Sequence, residues 1–212
     1  MTGRNTGTVA VITLTSMPVI DATKSKLTVG GAVGANEAII TQIVAKDLKF
    51  AKFSGYRYLG GITGTNGGSG KTTAGVSDCV YSGTMTEKTG AAGNCYGGIA
   101  GINYATLSGC EITKITMEIK GVYTATSTST AAQKESLASH AGGITGKNET
   151  SATITSCVID NNPDSRIRAD YGMLGGVTGF NKGTITMSGS SITAAVMNLT
   201  EEQKQAEKPW KH

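Results

Sequence analysis

The chain is built from short stretches in which apolar and small polar residues alternate with period two. Gly75-Val76-Ser77, Thr106-Leu107-Ser108, Thr153-Ile154-Thr155 and Thr184-Ile185-Thr186-Met187 all read this way. Such alternation predicts β-strands with one buried face. The stretches are bounded by glycine and asparagine, the residues of bends, and the units show none of the 3.6-residue spacing of an amphipathic helix. The pattern breaks only at the end, where Thr200-Glu201-Glu202-Gln203 reads as an N-cap with a capping box and predicts a short helix ending before Pro209.

These stretches belong to a repeat. The core Gly-Gly-apolar-small-Gly-x-Asn occurs at Gly30–Asn36, Gly60–Asn66, Gly97–Asn103, Gly142–Asn148 and Gly175–Asn181. A β-branched strand follows each Asn, and Asn5 to Thr13 matches this second half alone, as if the chain starts in mid-repeat. The asparagines at 5, 36, 66, 103, 148 and 181 are separated by 31, 30, 37, 45 and 33 residues. A constant motif on a variable period fits one coil of a parallel β-solenoid, with the excess looped out. Stacked coils place equivalent residues about 4.8 Å apart. Asn36, Asn66, Asn103, Asn148 and Asn181 are therefore expected to form a structural ladder in which each side-chain amide donates to the next. The glycines permit either positive φ or close backbone approach at the bends.

The Gly-Gly-x-x-Gly-x-Asn core, followed by Thr-Ile-x-x-Cys/Ser, resembles the GLUG-type repeat of bacterial surface and secreted proteins, including regions found beside zinc-dependent immunoglobulin A peptidases. The resemblance covers about residues 27 to 197. It implies an extracellular, right-handed parallel β-helix of accessory or adhesive character.

Composition agrees with a narrow, repeated core. Thirty glycines and 31 threonines make up about 29% of the 212 residues, and only 5% are aromatic. No run of 18 apolar residues is present, so no membrane insertion is expected, and the first residues lack a secretory signal. The net charge of +4 comes from scattered Lys and Arg, which argues against a nucleic-acid partner.

Cys79, Cys110 and Cys157 share one repeat position, held by Ser190 in the last copy, and read as small apolar fillers of the structural core. Cys95 falls at another position, shared with Tyr58, His140 and Met173, which places His140 at the start of a strand. With no Cys-x-x-Cys and no nearby Cys-His pair along the chain, neither a metal nor a cofactor is called for. Thr65-Asn66-Gly67-Gly68-Ser69-Gly70-Lys71-Thr72 imitates a phosphate loop, but a strand pattern follows it where a nucleotide site needs a helix. Asp160, Asp164, Arg166, Arg168 and Asp170 are the nearest approach to a catalytic cluster, in a loop with strong turn signals. Ser82 to Asn94 and the polar tract from Gly121 to Ser139 read as surface excursions able to carry partner specificity.

The chain is thus expected to be all-β: a right-handed parallel β-helix of about five to six coils over residues 1–199, with a helical cap or linker at 200–212. The expected role is a non-catalytic spacer, docking or adhesive module of a larger bacterial surface or secreted protein. Its expected partners are a host glycan, a host protein and the flanking domains of its parent chain. The alternative is a polysaccharide lyase or hydrolase with a groove along one solenoid face.

Overall fold

The computed structural model describes residues 2–15, 27–53, 56–68, 70, 73–121, 126, 128–160 and 162–187. The helix expected after Thr200 and the boundary at residue 199 lie outside these residues. The chain winds into a parallel β-solenoid of about five turns, whose strands build three sheets.

The first sheet stacks β1 (Thr2–Asn5), β4 (Val33–Asn36), β7 (Thr63–Asn66), β11 (Ala100–Asn103), β15 (Thr145–Asn148) and β20 (Thr178–Asn181). The second stacks β3 (Leu27–Gly30), β6 (Tyr56–Gly60), β10 (Cys95–Gly97), β14 (His140–Gly142) and β19 (Met173–Gly175). The third is the widest. It contains β2 (Thr8–Leu14), β5 (Ile39–Phe53), β8 (Gly75–Ser77), β9 (Val80–Glu87), β12 (Thr106–Ser108), β13 (Glu111–Ile119), β16 (Thr153–Thr155), β17 (Val158–Ile159), β18 (Arg166–Ala169) and β21 (Thr184–Thr186).

Registers follow the repeat. Ile40, Val76, Leu107, Ile154 and Ile185 are successive partners across the third sheet, and the first four are fully buried. Burial of each such side chain contributes about 1.5–3 kcal/mol. The second sheet adds Val29, Leu59, Tyr96 and Ala141 to the same core.

Two backbone devices make the coil turn. The first is close approach. None of the Gly-Gly-x-x-Gly glycines has φ in the left-handed region, but a Cβ on Gly101 would lie 2.6 Å from the Leu59 nitrogen and 2.8 Å from the Gly64 oxygen. The first and second sheets therefore meet backbone to backbone, at a distance only glycine allows. The second device is a left-handed corner within the third sheet. Val11, Gln42, Asp78, Gly109 and Ser156 occupy one position of successive turns with φ between 51° and 59°. The corner redirects the chain so that the next residue points inward, and Ile43, Cys79, Cys110 and Cys157 are all fully buried there.

The longest excess over the period lies between β13 and β14. The sequence reads this tract as a polar surface excursion, and part of it folds as α1 (Ala131–Leu137), the one helix among the described residues. Thr130 caps it, accepting from the Gln133 N–H at 3.2 Å, while the Gln133 side chain accepts from the Thr130 N–H at 2.8 Å.

Candidate functional site

The asparagines are joined rung to rung. Asn5 Nδ2 donates to Asn36 Oδ1 at 2.8 Å, Asn36 to Asn66 at 2.9 Å, Asn66 to Asn103 at 2.8 Å, Asn103 to Asn148 at 2.8 Å and Asn148 to Asn181 at 2.9 Å. Asn36 and Asn103 also close their own bends. Asn103 Nδ2 donates to the Ala105 carbonyl at 3.1 Å, and Asn103 Oδ1 accepts from the Ala105 N–H at 3.2 Å. The ladder is buried from Asn5 to Asn148 and exposed at Asn181, and its bonds hold successive coils together.

Cys79, Cys110 and Cys157 are also interior, and all are free thiols. Each donates to the carbonyl two residues earlier, at 3.1, 3.4 and 3.5 Å. The neighbouring thiols of Cys157 and Cys79, together with burial, hold the Cys110 thiol well above the usual range. Buried and protonated, it is a poor nucleophile.

The groups that face a ligand-sized space lie outside this core. Tyr58, Cys95, His140 and Met173 are the alternate residues of the second sheet, in register across successive coils. Thr65, Ile102, Lys147 and Phe180 form the corresponding outward row of the first sheet. Because the two sheets approach through glycine, these rows face one another across a groove parallel to the stack. The His140 and Phe180 rings are 5.4 Å apart. α1 lies beside the groove and supplies Glu135, which pairs with Lys147 at 3.0 Å and Lys182 at 2.8 Å. The result is a cavity of about 200 Å³ whose lining includes Arg57, Tyr58, Tyr104, His140, Lys147 and Glu149.

Its electrostatics are set by burial and close ion pairs. Burial works against the charge of Lys147, but hydrogen bonds to Glu149 (2.6 Å) and Glu135 (3.0 Å) outweigh it and push the ammonium up to about 12. Burial raises the Tyr58 phenol, and burial with the neighbouring Tyr58 raises the Tyr104 phenol to about 12. Cys95 Sγ lies 3.8 Å from His140 Nδ1, a pair hidden by 45 residues of sequence. Burial pushes this thiol up to about 12, and burial with the charge of Lys147 pushes the imidazole down to about 4. Both are therefore neutral near pH 7, the opposite of the thiolate–imidazolium state of a cysteine nucleophile. Among the described residues, no three His, Cys, Asp or Glu side chains gather as a metal-ligand set.

The acidic and basic cluster seen in the sequence sits elsewhere, at the outer end of the third sheet. Its members pair across coils: Lys114 with Asp164 at 2.8 Å, Arg166 with Glu118 at 3.3 Å and Lys120 with Asp170 at 3.4 Å. Arg168 and Asp170 border a second cavity, of about 160 Å³, beside Glu87. The Glu87 carboxylate is committed: it accepts from the Tyr96 hydroxyl at 2.7 Å and from the Lys120 and Gly121 N–H groups at 2.9 and 3.0 Å. Burial and the adjacent Asp160 raise the carboxyl of Glu111. The phosphate-loop imitation begins in β7 and is followed by β8, and among the described residues it leads into no helix N-terminus of the kind that phosphate binding requires.

The position shared by Tyr58, Cys95, His140 and Met173 is visible in the repeat alignment. What the sequence does not reveal is that this row faces Ile102, Lys147 and Phe180, or that the polar insertion closes over both. Comparisons with protein-family models, curated proteins and solved structures found no match. No described helix is long and apolar enough to cross a membrane. Fold and site together define a β-solenoid with an external polar groove.

Proposed function

We propose that this chain is a non-catalytic docking module, a rigid solenoid that engages a glycan or protein partner through the groove between its first and second sheets. The observation that carries this reading is the state of the groove: its nucleophile candidates are neutral, Lys147 is held by two carboxylates, and the phenols of Tyr58 and Tyr104 with the Arg57 guanidinium line an open cavity. Such a lining orients polar ligands. The GLUG-type resemblance supports an extracellular setting within a larger bacterial surface or secreted protein, accessory in the manner of regions beside immunoglobulin A peptidases.

The test is to incubate the protein with immobilised neutral and acidic polysaccharides, scoring retention and new reducing or unsaturated ends in parallel. Retention without new ends, weakened by Tyr58→Ala with Tyr104→Ala, is the expected result. Turnover overturns the docking reading. A polysaccharide-processing enzyme is the second reading, favoured by the juxtaposition of Glu111 and Asp160, a raised carboxyl beside another carboxylate as acid–base chemistry uses. If turnover is seen, Glu111→Gln abolishes it under this second reading.

A further inference from the structure

The wall of the cavity beside α1 contains one group whose hydrogen-bonding capacity is unmet. His140 is only 2% exposed, and among the described residues its Nε2 has no partner. An imidazole lone pair is a far better acceptor than a thiol sulfur, so the Cys95 S–H donates to Nδ1 and the neutral ring carries its proton on Nε2. The orphan is therefore a buried N–H donor, and a buried donor without an acceptor costs about 1–3 kcal/mol.

A second donor is also unmatched. The Arg57 guanidinium lies over the Tyr58 ring, 5.1 Å from its centroid, and no carboxylate pairs with it among the described residues. The carboxylates within reach, Glu135 and Glu149, are occupied by Lys147. His140 Nε2 is sealed behind the cavity wall, so what the cavity presents is the Arg57 guanidinium and two phenols, and its space of about 200 Å³ suits a single sugar ring rather than a peptide or a base pair.

We infer that this cavity binds a hexuronate residue of an acidic polysaccharide, with the sugar carboxylate on Arg57 and the ring against the phenols of Tyr58 and Tyr104. The assignment rests on the docking reading above and adds the ligand class to it. Guanidinium–carboxylate contacts are bidentate and charge-assisted, which separates a uronate from its neutral hexose counterpart. Tyr58 and Tyr104, which line the same cavity, supply faces and hydroxyls for the ring.

The experiment is a heteronuclear NMR titration of the whole chain with methyl glucuronoside and methyl glucoside, following the His140 imidazole and the amides of β6, β10 and β14. The expected result is saturable binding of the uronoside, with shifts of the β6, β10 and β14 amides, and at least about tenfold weaker binding of the glucoside. Arg57→Gln, at an exposed position, should cost about tenfold for the uronoside alone, as a lost charge-assisted pair does. Equal binding of both sugars, an Arg57→Gln variant that binds as the parent does, or no binding of either sugar each overturns the ligand class. Turnover in the polysaccharide assay overturns the docking reading itself, so the two failures are separate.

Discussion

Val11 and Gly109 occupy the same left-handed corner of different coils, with φ of 54° and 59°. For a β-branched residue this backbone costs about 1–2 kcal/mol, and for glycine nothing. Val11 is 77% exposed, so its side chain returns little by packing. Val11→Gly should therefore raise stability by about 1 kcal/mol, whereas Gly109→Ala should lower it by at least as much, because the new Cβ would lie 2.7 Å from Asp78 Oδ1 as well as in the strained region. Urea denaturation of the two variants checks both signs. His140 gives a second prediction at this scale. Its imidazole takes up a proton near 6.5 when unfolded and near 4 when folded, owing to burial first and Lys147 next, with Glu135 and Glu149 pulling the other way. Between these values the unfolded chain binds more protons, so this contribution is complete above 6.5 and is lost as the pH falls toward 4, up to roughly 3 kcal/mol. Denaturation midpoints between pH 7 and 4 should fall more steeply for the parent than for His140→Gln, and parallel profiles would refute the assignment.

At the scale of single elements, the repeat made the strands legible and the insertion did not. Period-two alternation identified β8, β12, β16 and β21, and the phase of Gly-Gly-x-x-Gly-x-Asn put the chain into a parallel β-helix, because stacking obliges like residues to sit on like. α1 lacked such a signal. Its seven residues have no buried member, and it is stabilised by the Thr130–Gln133 capping box and the Glu135 ion pairs instead of an apolar face. The groove was hidden for a related reason: facing rows on different sheets depend on the approach of two backbones, which no periodicity along one strand encodes. The ladder makes the strongest demand on an individual element. Asn103→Ala removes the acceptor of Asn66 Nδ2, the donor to Asn148 Oδ1 and both local bonds to Ala105, all in a buried site. Several buried groups at about 1–3 kcal/mol each make a loss of about 3–5 kcal/mol the expected outcome of denaturation, against about 1 kcal/mol for Asn181→Ala, where Asn181 is exposed and water replaces the lost bonds.

For the whole molecule, each coil contacts only its neighbours, so stability is a sum of coil contributions and the interfaces between them. β7 and β11 are paired on both edges and their asparagines are wholly buried, whereas among the described residues β20 pairs with β15 alone and its residues are half-buried or exposed. The third sheet shows the same gradient: Leu107 and Ile154 are fully buried, and the equivalent Ile185 is only partly so. Hydrogen exchange should therefore run inward. Amides of β20 and β21 should exchange through local opening well before those of β7 and β11, whose exchange requires opening on both sides. Asn103→Ala, in the middle of the stack, should then uncouple the halves and raise exchange in β7 and β15 together, while Asn181→Ala should affect β20 and β15 alone. Mass-resolved exchange of the parent and both variants reads this directly. Equal protection from β7 to β21 would mean that the stack opens as one unit and that the ladder does not divide its stability coil by coil.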